Sequence, residues 1–288
     1  VSNIRGEHIR NNPWRSGLRY AITRPTGIAS SIVLLALLAA AIVAPVLTLY
    51  SPIVMTAGAE LQAPSVEHLL GTDEYGRDLL SRTLYGLRVS FVVGALSLIL
   101  GGTIGVTFGL MAGSLGGKAE ALIMRVMDGL LAFPAILMGI AIVAALGPGL
   151  GNVALTIALV QLPVFARLAH GTALAEQHKE YVTAAISIGA SPLRVMLQHI
   201  LLNSLSPLFV QAALALGFSV LIEASLSFLG LGIAPPEPSL GSILDASRSK
   251  MRHAIWYPLF PGAVLTLLLF AFNGLADMLN DLLNPRQR

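Results

Sequence analysis

The chain contains no cysteine, which excludes a disulfide framework, thiolate ligation of zinc and thiol catalysis together. Charge is also scarce: 11% of the 288 residues are Asp, Glu, Lys or Arg, under half of the roughly 25% usual in soluble globular domains. What fills the gap is apolar, with 55% hydrophobic residues and a mean hydropathy of +0.76. A water-soluble fold is excluded on these grounds. The six histidines form no HExxH pair, so no metal site is expected. The net charge of +3 comes from basic residues that flank apolar segments rather than forming one stripe, which points to membrane topology and not to nucleic acid.

Apolar stretches of about 20 residues, enough to cross a hydrocarbon core of about 30 Å, recur along the chain. Six spans are expected, at 27–50, 89–112, 128–147, 151–169, 205–230 and 257–283. The fold class is therefore all-α, a polytopic membrane protein with a tail at 1–26 and a membrane domain at 27–288. An A-x-A-like site (Ala39, Ala41) lies in the first span, but the stretch is too long for the apolar core of a cleaved signal peptide, so it is read as a retained anchor. Gly147, Gly149 and Gly151 mark a tight turn between the third and fourth spans. Pro45, Pro134 and Pro163 fall within spans and are expected to kink them without breaking them. Placing the N-terminus inside puts twelve of the eighteen Lys and Arg residues in the cytoplasm. Five of these (Arg5, Arg10, Arg15, Arg19, Arg24) adjoin the first helix, which usually dominates orientation. Both termini are then cytoplasmic.

In the second span Ser97, Gly101, Gly105, Gly109 and Gly113 repeat every four residues. Such a face lets another helix backbone approach closely, and packing is expected in preference to a pore-lining role. Between the fourth and fifth spans, about 175–206, the run EQHKEYVTAAISI has helical periodicity, with Tyr181, Ala184, Ala185 and Ile188 on one side. Gly189 ends that helix in the left-handed conformation. Ser191 as N-cap and Pro192 at the first helical position start another at once. A cytoplasmic helical hairpin results, suited either to connecting two spans or to docking in a partner's groove.

Ionisable residues inside an apolar chain are functional candidates by default. Glu223 falls within the fifth span, where pairing with a neighbouring helix or partner competes with contact to a substrate ammonium. Arg125 and Asp128, three apart, are placed to pair on one helix face. Asn273, Asp277 and Asp281 form a polar stripe expected to hydrogen-bond between helices rather than relay protons. In the loop after the first span, Asp73 is positioned to cap a short helix, while Arg77 and Asp78 offer charges that either meet a partner or stabilise the loop. The nearest approach to a phosphate loop has Ala112 where GxxxxGK[ST] begins and Ala119 where its Ser or Thr belongs. ATP is therefore not expected to bind here, and the energy must come from another polypeptide or an ion gradient.

The run EYVTAAISIGASPLRVMLQHILLN resembles the coupling loop, or EAA motif, of bacterial ABC importer permeases, with Ala184, Ala185 and Gly189 matching and Thr183 where the family has Glu. HLLGTDEYGRDLLSRTLYGLRVS, RVMDGLLAFP, EASLSFLGLGIAPPEPSLGSIL and FNGLADMLNDLLNP, in that order, are similar to the C-type permease subunit of dipeptide and oligopeptide importers. That resemblance implies the type I permease fold in a bacterial inner membrane. It also implies a second, different permease, two ATPases holding ATP and magnesium, and an extracytoplasmic peptide-binding protein. Its relatives carry dipeptides, longer peptides, glutathione-like peptides or nickel. A gradient-driven secondary transporter is the competing reading, although no inverted repeat joins the two halves.

Overall fold

The computed structural model describes residues 25–283. Residues 1–24, most of the expected tail with its five arginines, lie outside the described residues. Helix α1, Pro25–Leu47, opens on proline, whose missing N–H costs nothing in a first turn. Its small residues Gly27, Ala41 and Ala44 are buried, while Ile32, Leu35, Ile42 and Val46 face outward, as a lipid-facing helix requires.

Helix α2, Leu79–Leu115, is 37 residues long, about 55 Å at 1.5 Å per residue, and so projects beyond the span expected at 89–112. It contains a π turn at Leu98–Gly102. A spacing of four drifts by about 40° per repeat on an ideal helix. The wider π turn takes back part of that drift and keeps the glycines facing one neighbour. That neighbour is helix α5, Leu150–Gln177. A methyl on Gly101 would come 2.5 Å from the Ala158 carbonyl oxygen, one on Gly105 2.8 Å from Phe165 Cβ, and one on Gly109 2.8 Å from Ala169 Cβ. The stripe is a packing surface.

The third expected span departs from the sequence reading. Pro134 (φ −57°, ψ 130°) is extended, and its ring disfavours the helical region for Phe133. Residues 128–147 are consequently divided between α3, Gly117–Leu131, and α4, Ala135–Leu146, which meet at 88°. The kink expected at Pro134 is a break, whereas Pro45 and Pro163 stay inside α1 and α5. With 12 residues, α4 covers about 18 Å and does not cross a bilayer alone. Among the described residues five helices are long and apolar enough to cross, or six if the bent pair counts as one.

After Gly147 (φ +87°) and Gly149 (φ +143°) turn the chain, α5 runs through the middle of the bundle. Its residues join two hydrophobic clusters, one with Val93 of α2, Val143 of α4, Ile222 and Leu226, the other with Leu110, Val182, Val195 and Ile200. The short α6, Glu180–Ser187, is followed by α7, Pro192–Phe228. Then come α8, Leu240–Ser247, with a Ser239–Ser242 capping box, and α9, Trp256–Leu283. The bundle thus has a hairpin end, carrying α6 and the start of α7, and a loop end, carrying residues 48–78 and α8. No strand occurs among the described residues.

Candidate transport site

The hairpin is built by its caps. Gly189 (φ +86°) receives the chain from α6, its N–H donating to the Ile186 carbonyl (2.9 Å) while that of Ala190 donates to Ala185 (3.0 Å). This pair of bonds is a Schellman closure. The Ser191 hydroxyl then accepts from Arg194 N–H at 3.4 Å, with Pro192 next to it at the helix start. The helical run expected from Glu176 is interrupted, because Glu176 and Gln177 complete α5 and Lys179 is extended before α6 begins.

The single face expected for Tyr181, Ala184, Ala185 and Ile188 is split. Val182 and Ala185 are buried, with Val182 packed in the cluster that contains Phe165, Ala169, Ala173 and Ile200. Tyr181 donates to Glu176 and accepts from Asn203 Nδ2 at 3.2 Å, tying α5, α6 and α7 together. Desolvation first and the Glu176 carboxylate second push its hydroxyl up to about 12, so it stays a donor at neutral pH. Ala184 and Ile188 turn outward, and Ile188 is 87% exposed; Leu193 and Leu197 at the start of α7 are exposed as well, while Ile186, also exposed, borders a pocket with Val182, Val195 and Ile200. Ala185 therefore holds the hairpin on the bundle, and Ala184 belongs to its free face.

Other candidate charges are placed differently from their sequence reading. Asp128 pairs with Arg167 of α5 at 2.6 Å rather than with Arg125, which is exposed. One helix position is not enough to decide between two cations when the neighbouring helix presents the closer one. In the loop, Asp73, Arg77 and Asp78 are buried and offer no surface charge. Asp73 accepts from the backbone of Tyr75 (2.9 Å) and Arg77 (3.0 Å), takes Arg77 Nε at 2.6 Å, and has Arg82 Nε 3.1 Å away. Helix capping falls to Asp78, which accepts from Ser81 N–H at 2.8 Å and meets His68 Nδ1 at 2.9 Å. The three residues staple the loop to α2. Tyr257 of α9 adds a bond to Glu74 in the same region.

Glu223 is fully buried and surrounded by hydroxyls. Ser90 of α2 donates to it at 3.1 Å and Ser227, on the same helix, at 2.8 Å. It joins α2 to α7 with no ion pair among the described residues. Asn273 and Asp277 are exposed on α9 and make no interhelical hydrogen bond among the described residues, which corrects the expected stripe at these two of its three positions. Asn273 instead lines a cavity of about 430 Å³ between α5, α7 and α9, with Gln161, Val164, Gln211, Phe218 and Leu269. Gln161 and Gln211 were missed by the sequence reading. Their signal was present all the same, since a carboxamide in an apolar span needs partners.

The geometry therefore offers a shaped hairpin at one end, a mainly apolar cavity with three carboxamides halfway along, and a stapled loop at the other end. A family described as the inner membrane component of binding-protein-dependent transport systems matches residues 105–288. The chain belongs to this family. The permease is 40% identical over 277 residues to the dipeptide transport system permease protein of Alkalihalophilus pseudofirmus, covering 96% of this chain and 91% of that protein. It is 39% identical over 284 residues to the glutathione transport system permease protein of Pectobacterium atrosepticum, covering 98% and 94%. With the di/tripeptide transport system permease protein of Pseudomonas aeruginosa the identity is 42% over 232 residues, covering 81% and 77%. Among solved structures, a chain of the MetNI methionine ABC transporter, in an inward-facing conformation, shares the fold with a TM-score of 0.56 at 19% identity, covering 72% of the permease and 96% of that chain.

Proposed function

We propose that this permease is one membrane half of an ATP-driven importer of dipeptides or short peptides, coupled to separate ATPases through the hairpin. The observation that carries the proposal is the closed turn at Gly189, which fixes α6 against the start of a 37-residue α7 and leaves the apolar side chains of Ile188 and Leu193 exposed beside it. Exposed apolar side chains beside a fixed turn suit a protein groove. In this reading that end is cytoplasmic, with both termini, and the chain lies in the inner membrane.

Two ATPases hold ATP and magnesium, and a second, different permease completes the path. A peptide-binding protein delivers substrate at the loop end. Closure of the ATPases displaces the hairpin, and α7 carries the displacement as a rigid body to the cavity wall, since Gln211, Leu214, Phe218 and Leu221 lie on the same helix. The peptide substrate is supported by three relatives named for dipeptide, di/tripeptide and glutathione transport.

The test is uptake into proteoliposomes holding both permeases and both ATPases, with loaded binding protein on the outside. ATP in the lumen is expected to drive peptide accumulation with an uncoupler present. Uptake by this chain alone, driven by a pH gradient without ATP, would replace the proposal with a gradient-driven carrier.

A further inference from the structure

We infer that the cavity between α5, α7 and α9 is a subsite that reads the backbone amide of the passing substrate, with Gln161 Oε1 as the acceptor of its N–H. Gln161 is 3% exposed. Its Nε2 donates to the Ala215 carbonyl at 3.0 Å and to Ser219 Oγ at 2.5 Å. Because a carbonyl only accepts, the amide cannot be turned over without setting oxygen against oxygen, which fixes the assignment of its two ends. Oε1 is left buried with no hydrogen-bond partner among the described residues. Buried carbonyl oxygens are nearly always satisfied, and an exception calls for a reason.

The cavity supplies one. At about 430 Å³ it is large enough for a dipeptide, and its polar lining is three carboxamides on three helices: Gln161 of α5, Gln211 of α7 and Asn273 of α9. Among the described residues no ionisable side chain lines it. A carboxamide both donates and accepts without charge, so it complements a peptide bond and is indifferent to the charge of the side chains that accompany it. The subsite would then pass substrates of varied side chain while requiring a free backbone N–H. Oε1 is closed off from water in this conformation, and the N–H reaches it when α7 shifts along α5, the movement that the hairpin drives.

This inference rests on the reading of the chain as a peptide permease, and the experiment separates the two. The assembled complex in proteoliposomes is given a dipeptide or its analogue methylated at the peptide nitrogen, each saturating the binding protein, and maximal uptake is compared between wild type and Gln161→Met. The preference of the binding protein enters both measurements and cancels in the ratio of ratios. Wild type is expected to favour the dipeptide, and Gln161→Met to lower dipeptide uptake about tenfold, the scale of one lost buried hydrogen bond, while leaving the analogue within about twofold. Equal loss for both substrates, or loss for neither, overturns the subsite. Should Gln161→Met fail to assemble, Asn273→Ala, at an exposed position, decides by the same ratio. Absence of ATP-driven dipeptide uptake in wild type would refute the permease reading itself.

Discussion

Replacing Gly189 by valine isolates the hairpin turn from packing. Gly189 has φ +86°, and a Cβ built there meets nothing within 4 Å, so the added side chain has room and the whole effect is conformational. A β-branched residue held at positive φ costs on the order of 1 to 3 kcal/mol. The chain has one escape, which is to abandon the left-handed turn. Doing so gives up the Gly189–Ile186 and Ala190–Ala185 bonds, at about 0.5 to 1.5 kcal/mol each. Both routes cost the same few kcal/mol, and the second also releases α6 from its angle to α7. Val182, Val195 and Ile200 keep the hairpin's inner face in a large cluster, so insertion and assembly are expected to survive. Substrate-stimulated ATP hydrolysis in the reconstituted complex should fall with transport. Gly189→Asn, which tolerates the left-handed region, should restore most of both. Wild-type coupling in Gly189→Val, with the variant protein present at normal levels, would refute the assignment of the turn to coupling.

Gly105→Leu is expected to lower the thermal stability of the purified complex by more than the ~1 to 3 kcal/mol usual for overpacking, because its obstacles are Phe165 and the backbone of α5 at Leu162 and Ala166; an unchanged melt with altered substrate preference would instead make the stripe part of the path. Asp73→Ala removes the carboxylate shared by Arg77 and Arg82 and should cost about 3 to 5 kcal/mol, as leaving a buried charge unpaired does, read as early proteolysis of the loop at 48–78. Glu223→Gln should transport nearly as wild type, since Ser90 and Ser227 carry hydroxyls that can reverse direction, whereas Glu223→Leu leaves both unpaired and should lose about 1 to 3 kcal/mol. Loss of transport in a Glu223→Gln variant of normal stability would show that the carboxyl itself is needed for transport.

Features that depend on local chemistry were legible in the sequence. Gly189, Ser191 and Pro192 act on the residues next to them, and the glycine repeat carries its meaning in its spacing, so both could be placed before any contact was known. Features decided by a distant neighbour were not. The choice of Arg167 over Arg125 for Asp128 depends on how α5 lies across α3. For Arg77 and Asp78 the choice between meeting a partner and stabilising the loop stayed open, and Asp73 read as a helix cap, because nothing in their spacing announces that Arg82 and His68 fold back onto the two carboxylates. Ala185 faces inward because α6 is rotated to bury Val182, and an eight-residue helix with apolar residues on two sides does not announce its rotation. The break at Pro134 was visible as a proline, but a kink and a break differ in whether the preceding residue can stay helical, which the packing of α3 and α4 on α5 decides.

The three candidate regions become one device through α7. From Pro192 to Glu223 is 31 steps along the chain, about 46 Å of continuous helix at 1.5 Å each. Its start is held by the Ser191 cap beside the outer face of the hairpin. Its middle gives Gln211 and Phe218 to the cavity and takes the Gln161 carboxamide on Ala215 and Ser219. Near its far end Glu223 accepts from Ser90 of α2. A partner pushing on the hairpin cannot move the cavity wall without also loading the Glu223 contacts, because buried residues recur on this helix from Ser204 to Ser227 and allow it little bending. The π turn at Val195–Ile200 and Pro207, which lacks an N–H for the helix ladder, are its irregular points, and both lie between the cap and the cavity, where a change of register or bend would alter the hairpin's angle before motion reached the wall. Coupling by this route requires that α7 stay intact through Pro207 to the cavity.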